Sequence, residues 1–560
     1  MRISYLLKLT SVSLVIYIVG ICSTNAQHDH SYEAPEQGLG HAHMEIPCAP
    51  EASKAFDKGL ALLHNFWYSR ALETFKQAAE SDPECAMAYW GEAMTYNHPF
   101  WDAPSATDNH NAWDLIQKAA AAKNISDRDK LFISAARDLY KDIEHSTKSD
   151  RDEKYREGMT NAYTKYSDDE TKLFYGLAIM GTIKEGSKGF DRQEKAAQLF
   201  EEVFKKNPKH PGVLHYLVHV YDDPVHAKQG LNAAQQYAAA AAAVPHALHM
   251  PSHIFTRLGL WDASEATNER AWKTSELDVK RAGEPNTFRD FHSLNYLQYA
   301  YIQLGKFKKA FWALETIKSQ YETLQDKKTA KDTPELQSRH VRGRTIYALP
   351  DRVIYGYFDM LTRFLFETKD WQGAQNIPLL VKSRDFLAVK LHVEAISAAM
   401  IKDKKTSMQK SSELKILSLE PGQHPFVQQI IAIQANEAEA FSAYASGNLD
   451  EAVNKMTEAV EIENSIDSLS QPPYPIIPAN ELFGLLLTEM KKPEEARKYF
   501  LETLKRTPAR PMAVYGAAQA SKDIGDIDSA KKLYREFLDL WKYADDDRPE
   551  IAIAKSYLAQ

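Results

Sequence analysis

A period of about 34 residues constrains this chain more than any other feature. Its clearest unit places Gly59, Leu62, Ala71, Phe75, Ala78 and Pro83 in order. The second half of that unit returns at the same spacing as Ala196, Phe200, Val203 and Pro208, and again as Ala233, Tyr237, Ala240 and Pro245. Partial copies follow at Leu297, Tyr301, Gly305, Ala310 and Leu314, at Tyr444, Ala452, Met456 and Ala459, and at Gly484, Leu487, Ala496, Phe500 and Pro508, with Ala530 and Tyr534 closing the series. The small residues let two antiparallel helices approach closely, and the aromatic fills the gap against the next unit. The proline stops the second helix. One such unit cannot bury its own apolar face, so the units must stack.

The pattern resembles the tetratricopeptide-repeat superfamily over most of residues 50–545. In that repeat's own register the first unit occupies positions 8, 11, 20, 24, 27 and 32. The resemblance implies an all-α fold, a TPR-type α-solenoid of antiparallel helix pairs forming a right-handed superhelix. The segments HPGVLHYLVHVYDDPVHA, PHALHMPSHIFTRLGLW, RDFHSLNYLQYAY and PARPMAVYGAAQA also resemble a group of exported bacterial repeat proteins. That likeness implies an exported interaction module and no established chemistry.

At the N-terminus, Arg2 and Lys8 precede an apolar stretch from Leu6 to Ile21, and Ser23-Thr24-Asn25-Ala26 offers small residues for cleavage. Residues 1–26 therefore read as a secretory signal peptide, with export to the periplasm expected. Cys22 invites lipid attachment, but the bulky Ile21 before it favours ordinary cleavage after Ala26. Losing Arg2 and Lys8 takes the formal charge from −8 to −10, which argues against a nucleic-acid partner. No later apolar run is long enough for a transmembrane span in the mature chain. Cys48 and Cys85 then remain, and in an oxidising compartment they either pair or stand as one buried and one mobile thiol.

Residues 27–50 are polar, Gly/Pro-punctuated and aperiodic, and read as a flexible arm carrying His28, His30, His41 and His43. An N-terminal array over 51–325, a charged linker loop over 326–345 and a C-terminal array over 346–560 complete the expected organisation. Residues 144–157 and 402–424 and the proline cluster at 471–475 read as further loops.

Superimposed on the repeat is a concentration of histidine. His210, His215, His219, His226, His246, His249 and His253 fall within 44 residues, seven of the nineteen in the chain. His215/His219 and His249/His253 are i, i+4 pairs, so each pair shares one helix face within reach of one metal ion. The repeat resemblance places ligand-contacting positions 2, 5, 9, 12 and 13 on the first helix of each unit. There it sets His215 and His249 at 5, His219 and His253 at 9, Asp222 at 12 and His292 at 2. It also puts Asn295 and Trp90 at 5, with His64 and His98 at 13. Two pairs on neighbouring first helices predict a four-histidine site, or three histidines plus aspartate, for a transition metal such as zinc or copper. His246 stands as an extra ligand. Pro251, between His249 and His253, opposes a continuous helix there. Metal-free contacts to a ligand and purely structural histidines are the alternative readings.

Trp67, Trp90, Trp101 and Trp261 suit either stacking on a sugar or partner, or the core. Hydrolase, zinc-protease and phosphate-loop signatures are absent from the sequence. The expected function is a non-enzymatic scaffold that presents a concave groove to a peptide, a protein or a glycan, with a metal-dependent protein as the rival.

Overall fold

The computed structural model describes residues 37–560, apart from 101–103, 185, 327–338, 342–343, 347–348, 381–382, 423 and 468–475. The signal peptide, Cys22, His28, His30, Trp101 and the proline cluster lie outside the described residues. The chain is an α-helical solenoid in which each helix packs chiefly against its neighbours in sequence. A short antiparallel pairing of Arg339–Val341 with Arg344–Ile346 falls in the linker region.

The repeat residues act as their spacing requires. Phe75 is fully buried between Gly59 of its own unit and Gly91 of the next. A Cβ on Gly91 would stand 2.5 Å from that ring. Phe500 is wedged in the same way between Gly484 and Gly516. The fit is that of an interior packed to crystal-like density, where one added methyl has nowhere to go.

Three expectations change. The arm is docked over its described part: Leu39, Ala42, Met44 and Ile46 are buried and alternate with exposed neighbours, as in an extended strand lying on a surface. Leu39 O accepts from Asn65 Nδ2 at 2.7 Å, and Gly38 O accepts from Ala243 N at 2.9 Å. Cys48 and Cys85 form a disulfide that pins this strand to the first repeat. Residues 144–157 are largely helical, in a helix Lys148–Lys165 started by a reciprocal Thr147–Asp150 capping box. Residues 402–424 carry the helix Lys404–Leu419, capped by Asp403. Both helices bury few side chains, so their apolar periodicity is too sparse to announce them.

The array also closes on itself. The first helix, Pro50–His64, meets the helix Pro211–Val220 across the interior, where Gly212 is the only residue type that fits: a Cβ there would stand 2.6 Å from His64 Nδ1. Farther along, the helix Pro511–Asp523 and its successors fold back on the middle repeats. Trp541 Nε1 donates to Gln303 O at 3.1 Å, and Trp261 Nε1 donates to Ala509 O at 2.7 Å. The concave face is therefore filled in the histidine-rich region, not open: His215 and His249 are fully buried and His253 is 1% exposed.

Candidate metal centre

The histidine pairs ride on two neighbouring units. Pro211 begins the helix Pro211–Val220, and the His210 side chain accepts from Gly212 N to cap it. His215 and His219 lie one turn apart on this helix while Leu214, Leu217 and Val218 enter the core. The second pair spans a break. Pro245 starts the helix Pro245–His249 and Pro251 starts Pro251–Arg257, with Met250 in helical conformation joining them. The proline shortens the helix as expected yet leaves His249 and His253 on one face.

The six rings sort into two triads rather than one four-histidine set. In the first, His215, His219 and His246 converge, with His215 Nε2 lying 3.1 Å from both His219 Nε2 and His246 Nε2. In the second, His249, His253 and His292 converge, and His249 Nε2 lies 3.0 Å from His253 Nε2. Three nitrogens around a tetrahedral zinc-like ion, each bonded at about 2.0–2.1 Å, stand roughly 3.3 Å apart. The observed spacing is close to that.

Hydrogen bonds to the other ring nitrogen decide what these Nε2 atoms are. His215 Nδ1 donates to the carbonyl of His64 at 2.7 Å. His249 Nδ1 donates at 2.7 Å to Asn268 Oδ1, whose amide is oriented by its own bond from Nδ2 to Ser264 O. His253 Nδ1 donates to the Asp222 carboxylate at 2.8 Å. Carbonyl and carboxylate oxygens only accept, so the proton of each neutral ring sits on Nδ1 and Nε2 carries a lone pair. Burial pushes His215, His246 and His249 well below the ordinary imidazole range, and neighbouring histidines add to the shift. His249 Nε2 therefore accepts, and His253 Nε2 stands 3.0 Å from it. Either a proton on His253 Nε2 or a cation between the two nitrogens completes that contact.

Asp222 is the orienting group of the second triad. Burial raises its pKa, but Arg257 and His253 more than offset this and hold its carboxyl well below the usual carboxylate range. Arg257 Nε donates to it at 2.9 Å. Aromatic rings wall the first triad, Phe66 at 4.4 Å from His215 and Phe100 at 4.5 Å from His219 between centroids. Phe66 holds φ +54, a left-handed backbone costly for a bulky residue.

A third convergence, His64, Glu170 and His210, has the opposite electronics. His64 Nε2 and His210 Nε2 donate to the two Glu170 oxygens at 2.8 and 2.9 Å, while their Nδ1 atoms accept from Tyr216 OH and Gly212 N. Every nitrogen is satisfied, so this cluster ties the first helix to Pro211–Val220 and to Asp169–Gly181 without an ion.

The other predicted groove residues disperse. His64 belongs to that structural cluster, and Trp90 is fully buried against Phe132 and Phe174. His98 stacks on Tyr68 at 4.2 Å. Asn295 donates to Asp359 at 2.7 Å and accepts from Arg363, in a network apart from the triads. His43 pairs with Asp57 at 2.7 Å. Of the set, His292 completes a triad and Asp222 orients one. Asn268, Arg257 and the His64 carbonyl escaped sequence reasoning because nothing in a sequence marks a second contact made from another helix. His246 had a signal, its i, i+3 relation to His249.

The chain matches no family model and no curated protein. Among solved structures it is similar to human IFIT1 in its dimer with m7Gppp-AAAA, at 12% identity and TM-score 0.34, covering 88% of this chain and 98% of that one. It is also similar to yeast Tom70, at 14% identity and TM-score 0.26, covering 91% and 96%. Nothing about function or ligands transfers at these scores.

Proposed function

We propose that this chain is an exported repeat protein that binds two transition-metal ions, one on each histidine triad, with zinc and copper as the candidate metals. The observation that carries the reading is the convergence of three imidazoles on each of two adjoining points, with His249 Nε2 and His253 Nε2 3.0 Å apart and their Nδ1 atoms bonded to Asn268 and Asp222. The residues would hold the ion through neutral imidazole, which suits both metals. Asp222, Asn268 and the His64 carbonyl would fix ring orientation, as second contacts do in metal sites. The Cys48–Cys85 disulfide supports an oxidising compartment such as the periplasm.

The test is metal content by mass spectrometry on residues 27–560, purified without a histidine tag or chelator. Two ions in the wild type and one in a folded His215→Ala/His219→Ala variant are expected. Wild-type protein that holds no metal after zinc and copper have been added would overturn the reading.

A scaffold for a peptide or protein partner is the second reading. It is favoured by Phe311 and Trp312, adjacent on the helix Phe307–Asp326 and each 49% exposed. On this reading the partner would dock on the outer face and not in the filled groove. Partner binding that survives Trp312→Ser would remove this version of it.

A further inference from the structure

We infer that the two triads are halves of one binuclear copper centre that takes dioxygen between its ions, an inference that rests on the metal-binding reading above. The placement comes first. His246 and His249 lie on the same five-residue helix, one turn apart, yet serve different triads, with 6.2 Å between ring centroids. His219 and His253 bridge the same gap from the other helices, at 6.4 Å. The two triads therefore adjoin, and ions seated in them would be neighbours, as bridging by a single diatomic requires.

Donor chemistry selects the metal. All six inward-facing groups are imidazoles, and neither triad contains a carboxylate. Asp222 touches the outer nitrogen of His253, not the inner one. A buried site made only of neutral donors leaves the full ionic charge uncompensated by its ligands. The cost of burying an ion grows with the square of its charge, so a monocation pays about a quarter of what a dication does. On charge alone, two Cu(I) ions therefore cost such a pair less than two Zn(II) ions.

Access and surroundings select the ligand. His292 is exposed and His219 and His246 are partly so, which gives the otherwise buried pair contact with solvent. Phe66 and Phe100 present apolar walls on the first triad. A small neutral molecule enters such a site more readily than a hydrated anion. The electrons balance without a further reductant. Each Cu(I) gives one electron, the O–O double bond becomes the single bond of a peroxide dianion held between the ions, and both coppers become Cu(II). No proton moves.

The experiment uses residues 27–560 with the disulfide intact, loaded without oxygen with Cu(I) as its acetonitrile complex. Copper is counted, the sample is aerated, and Cu(II) spins are counted by electron paramagnetic resonance. A Cu(I)-specific chelator then measures any copper left reduced. Two coppers per chain, no residual Cu(I) and loss of most of the expected spin signal support the inference, since two Cu(II) ions sharing a ligand couple magnetically. Two coppers with both spins visible, a single copper, or copper that stays reduced in air would each overturn it. Two coppers with both spins visible, or two that stay reduced, leave the two-ion reading standing. A single copper cuts it back to one triad, and no copper or zinc at all removes both readings. His292→Gln, at an exposed position that folding tolerates, should lower the count from two to one. A count that stays at two would overturn the place of His292 in the pair.

Discussion

Asp222 acts on the candidate centre only through the ring of His253. Its carboxylate accepts from His253 Nδ1 at 2.8 Å and from Arg257 Nε at 2.9 Å, which fixes both the tautomer and the direction of Nε2. Asp222→Asn keeps the shape and removes the charge, and its amide can turn an N–H toward the imidazole. Metal affinity at the second triad should then fall about 10–100-fold, the usual cost of losing such a contact. The first triad, oriented by the His64 carbonyl, should bind as before. Competition against a chromophoric chelator separates the two, and equal weakening of both sites would contradict the assignment. At this scale the i, i+4 pairs were legible because helix geometry alone puts them on one face. Their division into two triads was not, since His246 and His292 arrive from different helices. The structural role of His64 was equally hidden: its partners Glu170, His210 and Tyr216 lie 106 or more residues away.

At the scale of elements the repeat was readable wherever a small residue met an aromatic, because Gly59, Phe75 and Gly91 depend on one another sterically. Helices lacking that signature, such as Lys148–Lys165, looked like loops. The element Ala479–Glu489 carries a titration that no pattern would reveal. Both oxygens of Glu463 accept from Ala479 N, at 3.2 and 3.1 Å, at the start of that helix. Burial raises the Glu463 carboxyl, with Glu437 adding to the effect, to about 7. The sign follows from the raised value. The folded state favours the protonated form, so this group's contribution is complete below the ordinary value near 4.5 and is lost as pH rises through about 7. Glu463→Gln should therefore leave stability at pH 4.5 nearly unchanged and raise it at pH 8 by up to about 3 kcal/mol. Urea unfolding at the two pH values checks this, and a variant less stable at pH 8 would show that the carboxylate is needed in its ionised form.

For the whole molecule, the repeats predicted a solenoid but not its closure. Repeat spacing specifies how each unit meets the next, and contacts between units far apart in the chain leave no periodic trace. Arg510 is the clearest case. It stands just ahead of the helix Pro511–Asp523, is 1% exposed, and donates through three nitrogens to three different elements. Nη2 reaches Glu367 at 2.7 Å, Nη1 reaches Tyr299 OH at 3.0 Å, and Nε pairs with Glu481. Glu367 and Tyr299 belong to the middle repeats and Glu481 to the C-terminal ones, so the guanidinium joins the returning end of the array to its centre. Without it, two buried carboxylates face each other without the guanidinium they share. Arg510→Ala should destabilise the protein by about 3–5 kcal/mol, the usual cost of removing one partner from a buried ionic group. Arg510→Lys should recover little, because a single ammonium lacks the planar fork that reaches all three partners. The closure also predicts where the damage appears. Hydrogen exchange should rise in Pro511–Asp523 and in the middle helix Phe291–Gln303 together, while Pro211–Val220 keeps its protection. If exchange rose only in Pro511–Asp523, Arg510 would be a local tie within the last repeats, and some other contact would hold the array closed.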